Sequence, residues 1–130
     1  MPTAVQAEAR LKRAAPQFLT VDLDAAVAFY TEKLGFMVEF AYGDFYVSVQ
    51  RDGVTLHLKL SDDPDPSRAF KKQGEHLDAY IETDDVDALF SEYEKRGVAF
   101  MQDLHATPWG TNEFVVEDTD GYILYFSQPV

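Results

Sequence analysis

Reactive groups in this 130-residue chain come from few sources. There is no cysteine, and so no thiol nucleophile, thiolate metal ligand or disulfide frame. What remains is three histidines, 23 acidic residues, ten Phe, seven Tyr and a single Trp. His57 lies in the strand-like stretch "VTLHLKL", with Lys59 two residues along the same face, while His76 and His105 read most simply as surface residues. In "HLDAYIET" the period-two alternation of a strand places Asp78, Tyr80 and Glu82 on one face. Trp109 sits between Pro108 and Gly110 at a turn, a poor place from which to fill a deep core and a good one from which to line the mouth of a groove. An aromatic ring stacked on it, whether from the protein's own core or from a bound molecule, gains about 0.5–1.5 kcal/mol beyond area burial.

Eleven Lys and Arg against 23 Asp and Glu give a formal charge of −12, so a phosphate backbone is repelled and nucleic acid is not expected as a partner. A cationic small molecule is attracted, although the simplest role of such a charge is solubility. No apolar run approaches the roughly 20 residues of a membrane span, and the start "MPTAVQAEARLKRAA" lacks the apolar stretch of a secretion signal. The expectation is a soluble, cytoplasmic protein with no membrane partner. Its length and 46% apolar content predict one domain with a real core.

The elements that position these residues come twice. Residues 1–15 lack a core-sized apolar face and read as a frayed or short helical arm before Pro16. Then "QFLTV" reads as a strand, "DLDAAVAFYTEKLGF" as a helix capped by Asp22 and closed by Gly35, and "MVEFA", "DFYVSVQ" and "VTLHLKL" as three strands. After the aperiodic stretch 61–75, read as a connector, the order restarts. "HLDAYIET" is a strand, "DDVDALFSEYEKRG" a helix closed by Gly97, and "VAFMQ", "NEFVVED" and "YILYFSQ" three more strands. "DLDA" at Asp22 recurs as "DVDA" at Asp85, and "DGVTLHL" at Asp52 as "DGYILYF" at Asp120, which makes His57 and Tyr125 equivalent. The expected fold is therefore α+β, two tandem βαβββ modules (16–60 and 76–128) forming a curved mixed sheet around a concave face.

The two modules, "AVAFYTEKLGF" after the first strand, "FAYGDFYVSVQRDGVTLHL", "PWGTNEF" and the closing "DTDG" together resemble the vicinal oxygen chelate superfamily of glyoxalases, bleomycin-resistance proteins and dioxygenases. The nearest similarity is to the bleomycin-resistance group, and it runs from Pro16 to about Gln128. The resemblance implies metal-ligand positions at Ala15, His57, Asp78 and Tyr125, with His76 a further donor if the register slips by two. Alanine binds no metal and neutral tyrosine binds poorly, so no metal or other cofactor is expected.

It further implies a homodimer that sequesters a planar, cationic antibiotic such as a bleomycin in grooves between subunits. The positions matching the family's stacking aromatics are Phe45 and Trp109, with Phe40 a further candidate. Matching also turns Asp78, Tyr80 and Glu82 inward, makes His57 and Tyr125 lining groups, Asp44 a groove-edge acid, and Glu113 either a lining carboxylate or a structural acceptor. The reading is a metal-independent small-molecule binder. The alternatives are a metal-dependent lyase, dioxygenase or thiol transferase using His57 and Asp78 with His76 or water, and a metal-free enzyme with His57 as general base.

Overall fold

The computed structural model describes residues 4–130. The first three residues of the expected arm lie outside the described residues, and the arm from 4 to 16 follows no regular structure. Strand β1 (Gln17–Thr20) leads into helix α1 (Leu23–Ala28), which widens into a π-helical turn over Phe29–Lys33. Strands β2 (Met37–Tyr42), β3 (Tyr46–Arg51) and β4 (Val54–Leu60) complete the first module. A short helix, α2 (Arg68–Gln73), lies in the connector. The second module is β5 (Ala79–Glu82), α3 (Val86–Lys95), β6 (Phe100–Ala106), β7 (Thr111–Glu117) and β8 (Ile123–Pro129).

The modules repeat in atomic detail. Each sheet has the same order, β1-β4-β3-β2 and β5-β8-β7-β6, with its first strand parallel to its last and the remaining pairs antiparallel. Asp22 caps α1 by accepting the Ala25 N–H at 3.1 Å, and Asp85 caps α3 by accepting that of Ala88 at 3.0 Å. Gly35 (φ 75°) and Gly97 (φ 79°) close the helical segments in the left-handed region that favours glycine. A Cβ on Gly35 would meet the Arg51 guanidinium at 2.6 Å.

Three features differ from the sequence expectation. The eight strands form two four-stranded sheets rather than one, because β1 and β5 each pair only with the last strand of their own module. The connector contains helix α2, a single turn and a half too short to show a period. The first helix passes into a π-helical turn, with Leu34 N–H bonding Phe29 C=O at 3.2 Å and Phe36 N–H bonding Tyr30 C=O at 2.9 Å. No helix of the described residues is long and apolar enough to cross a membrane.

The helical sides of the two modules pack together, and two buried tyrosines cross between them. Tyr30 and Tyr93 are separated by the same spacing as Asp22 and Asp85, and both are buried. Tyr30 Oη donates to Asp118 Oδ2 of the second module at 2.6 Å, while Tyr93 Oη donates to the Leu34 carbonyl of the first at 2.9 Å. Leu34 C=O also accepts from Arg51, whose guanidinium makes a two-pronged pair with Glu92 at 2.8 Å for each bond. The helix ends cap one another as well: Arg96 donates to Glu32 C=O and Lys33 to Arg96 C=O, both at 3.1 Å. Cations thereby meet carbonyls that a helix C-terminus leaves without partners. Phe18 stacks on Tyr122 with centroids 4.3 Å apart, and Tyr122 Oη accepts the Leu19 N–H at 2.9 Å.

Asp118 ties this interface to the β7–β8 turn, since its Oδ1 accepts the N–H groups of Asp120 and Tyr122 at 2.9 Å each. Burial pushes its carboxyl up to about 6, against the hydrogen bonds from Tyr30, Tyr122 and Asp120 that favour the charge. Because the folded-state value is raised, the folded chain holds a proton between about pH 4 and pH 6 that the unfolded chain has lost. This group's contribution to stability is therefore present at the acid end and falls as pH rises through that window. Urea unfolding of wild type and Asp118→Asn should show the difference, wild type minus variant, falling by about 2–3 kcal/mol from pH 4 to pH 7. A difference that stays flat with pH would refute the assignment.

Candidate functional site

Each sheet turns one face to the helices and leaves the other open. In the first sheet the helix side carries Phe18, Val47, Val49, Leu56 and Leu58, all buried. Alternation and register then put Gln17, His57, Ser48 and Phe40 in one row across the open face, and Leu19, Lys59, Tyr46 and Tyr42 in the next. In the second sheet Phe114, Val116, Leu124 and Phe126 face the helices. Tyr80, Tyr125, Val115 and Gln102 form one open row, and Glu82, Ser127, Glu113 and His105 another. Among the described residues no hydrogen bond, ion pair or aromatic contact joins the two open faces.

Hydrogen-bonded networks hold the polar groups of both faces. On the first, Tyr46 Oη and His57 Nδ1 are 2.8 Å apart, Gln17 Nε2 donates to Tyr46 Oη at 3.1 Å, and Phe40 meets the imidazole edge-on at 5.8 Å. On the second, Tyr80 Oη donates to Ser127 Oγ at 2.7 Å, and Ser127 Oγ donates to Glu113 Oε2 at 3.0 Å. Thr111 Oγ1 also donates to Glu113 Oε2 at 3.0 Å. Glu113 is only 2% exposed, yet among the described residues no cation forms an ion pair with it. Burial and the nearby Glu113 charge raise the Tyr125 hydroxyl above its ordinary value, so it remains a protonated donor.

A divalent metal finds no converging donor set. Asp78 is buried against α2, where Arg68 holds it through two bonds at 2.5 and 2.9 Å and Lys71 through a third at 3.0 Å. It also accepts the Ile123 N–H at 2.8 Å. Burial opposes its charge, but Arg68, Ile123 and Lys71 outweigh it and hold the carboxyl below the usual range. His76 stacks on Phe70 with centroids 5.7 Å apart, and His57 is engaged by Tyr46. Among the described residues no group of three His, Cys, Asp or Glu side chains is placed to share an ion. With alanine at position 15, the residues do not fit the superfamily's metal.

The stacking candidates stand on equivalent turns of the two modules. Phe45 follows Gly43 and Asp44 in the β2–β3 turn, edge-on to Tyr42 at 5.8 Å, and Asp44 is exposed beside it. Trp109 stands in the β6–β7 turn, 70% exposed and, among the described residues, in no aromatic pair. Phe40 and Tyr80 lie half-exposed on opposite sheets. Glu82 ends β5 and also lines a cleft of about 440 Å³ at the seam between the modules, with Phe36, Arg51, Val54, Leu89 and Tyr93. Of the predicted site residues, that cleft contains only Glu82.

Sequence reading missed Glu39. A β-bulge between Val38 and Phe40 breaks the alternation, so Glu39 reaches the open face alongside Phe40 and accepts from Ser48 Oγ at 3.0 Å. The same bulge recurs between Phe100 and Gln102, where the extra residue is Met101. Bulges leave no mark in residue types here, and only a duplicated register anomaly exposes them.

The profile of the Glyoxalase/Bleomycin resistance protein/Dioxygenase superfamily matches residues 11–126. Among curated proteins, no relative is significantly similar to the chain. Several solved structures share the fold. The bleomycin-binding protein of bleomycin-producing Streptomyces verticillus, complexed with copper(II)-bleomycin, is 24% identical over 94% of this chain and 99% of its own, with a TM-score of 0.72. UcmS2 is 24% identical over 93% and 98%, with a TM-score of 0.70. A glyoxalase-related enzyme from Clostridium phytofermentans is 21% identical over 96% and 100%, with a TM-score of 0.73.

The Arg68–Asp78 pair separates a structural carboxylate from a ligand-receiving one. Removing one member of a buried pair strands the other charge, at a cost of about 3–5 kcal/mol. Lys71 and the Ile123 N–H still reach Asp78, so Arg68→Met should lose about 2–3 kcal/mol, below that scale, and Arg68→Met combined with Asp78→Leu should recover much of it, as read by chemical denaturation. Equal or additive losses would show that the two charges do not depend on one another.

Proposed function

The chain belongs to the Glyoxalase/Bleomycin resistance protein/Dioxygenase superfamily, and from that premise we propose that it is a metal-independent binder of a planar, cationic small molecule. In this reading two copies associate about a two-fold axis, and the open sheet faces of the pair become the walls of two grooves. The observation that carries it is the pair of open faces, each with exposed aromatics above a hydrogen-bonded polar network. Trp109 and Phe45 stack on the ligand's flat rings at the groove mouth, and Phe40 and Tyr80 extend the walls.

Glu113 supplies a buried carboxylate with no cation of its own, and Glu82 and Asp44 add charge nearer the rim. A cationic guest would add a counter-charge to a carboxylate that the protein meets with the hydroxyls of Thr111 and Ser127 alone. His57 and Tyr125 line the groove as polar groups, with His57 already held by Tyr46. Asp78 takes no ligand in this reading, since Arg68 and Lys71 already neutralise it. A structure of similar fold binds bleomycin, which makes a bleomycin the first ligand to try. Sequestration of such a compound would take place in the cytoplasm.

Calorimetric titration of EDTA-treated protein with metal-free bleomycin, followed in parallel by Trp109 fluorescence, tests the reading. Saturation near one ligand per chain with quenching is expected, and Trp109→Ala should weaken binding about tenfold, roughly 1.4 kcal/mol. Absence of both heat and quenching would remove bleomycin as the ligand, and binding that required an added metal would overturn the metal-independent reading.

A further inference from the structure

The bulge that turns Glu39 onto the open face presents it to an occupant drawn from the chain's own arm. Arg13 grips the carboxylate with both prongs of its guanidinium, Nη1 to Oε2 at 2.7 Å and Nη2 to Oε1 at 3.1 Å, and donates to Thr55 Oγ1 at 3.2 Å. Ser48 Oγ holds Oε1 from the other side at 3.0 Å. The receiving side is built in advance: Ser48 and Thr55 are both buried, and the half-exposed Phe40 ring follows Glu39 on the same face. In the equivalent bulge of the second sheet the residue is Met101, so only the first sheet presents a carboxylate here.

The occupant is held by little else. Among described residues 4–15, Arg13 alone hydrogen-bonds to the body of the protein, and Arg10 and Lys12 form no ion pair. Its side chain is half-exposed, and ion pairs open to solvent are individually weak and screened by salt. The hydrogen bonds from Arg13 and Ser48 also hold the Glu39 carboxyl below its usual range, so it is charged and ready for a cation.

We infer that Glu39, flanked by Ser48, Thr55 and Phe40, is a receiving site for a guanidinium or ammonium group of a ligand, which the chain's own Arg13 fills until the ligand displaces it. The inference rests on the reading that the open face of the first sheet meets the ligand. Planar guanidinium and paired carboxylate oxygens match geometrically. The tethered Arg13 acts as a competitor at high local concentration, so the affinity for a free cation is reduced by the fraction of time the site is closed.

Agmatine, which carries one guanidinium and one ammonium, is a suitable probe, read by amide chemical shifts in the full-length ¹⁵N-labelled chain. Saturable shifts at Glu39, Phe40, Ser48 and Thr55 are expected, with a midpoint about three- to fivefold lower in Arg13→Ala than in wild type. Glu39→Gln placed in the Arg13→Ala background should abolish them while leaving distant amides unchanged. An unchanged midpoint in Arg13→Ala, shifts that survive Glu39→Gln, or no response in Arg13→Ala would each overturn the site. Because the probe is not an antibiotic, a chain that binds bleomycin without responding to agmatine loses this site alone. One that responds to agmatine but not to bleomycin keeps it.

Discussion

Two buried hydroxyls, those of Tyr30 and Tyr93, each cross from one module into the other, and the architecture of the open faces depends on that exchange. A buried tyrosine hydroxyl needs a partner, since leaving it without one costs on the order of 1–3 kcal/mol. Each tyrosine finds its partner only when the helical sides of the modules are packed together. Arg51 with Glu92, and the mutual capping of the α1 and α3 ends, lock the same arrangement. Once the helix sides are buried against one another, no second layer of helices or strands among the described residues lies over either open face, and the first carries only Arg13 of the arm.

That arrangement orders the charges too. Positive groups are concentrated at the seams: Arg51, Lys33 and Arg96 between modules, and Arg68 and Lys71 over Asp78. Glu113, Glu82 and Glu39 are left on the open faces, with Lys59 on the first sheet and Arg13 of the arm as the cations placed among them. On the second sheet the open rows hold Glu82 and Glu113 with no Lys or Arg among them, whereas on the first Glu39 is paired with Arg13.

The repeat was legible because duplication leaves paired signals that chance does not: capping Asp22 and Asp85, closing Gly35 and Gly97, and two D-G turns in register. Alternation grouped Tyr80 with Glu82 and the repeat made His57 equivalent to Tyr125, and the strand registers hold both groupings, while Glu113 was left open between a lining and a structural role. The division into two sheets was not legible, because the pairing of edge strands is a long-range choice that no local pattern encodes. Asp78 shows the same limit from another side. Its alternation points to the open face, but its partners Arg68 and Lys71 come from a helix in an aperiodic connector, so only the folded chain reveals a carboxylate already neutralised. Glu39 escaped for the opposite reason, since a bulge breaks the period on which the reading rests.

The central claim is that two open faces in one chain are halves of sites that a second copy completes. Sedimentation equilibrium of the ligand-free wild-type chain at micromolar concentration tests it most directly. The account predicts a species of twice the 14.7 kDa chain mass, in reversible exchange with the single chain on dilution. A mass of 14.7 kDa across the whole concentration range would contradict it.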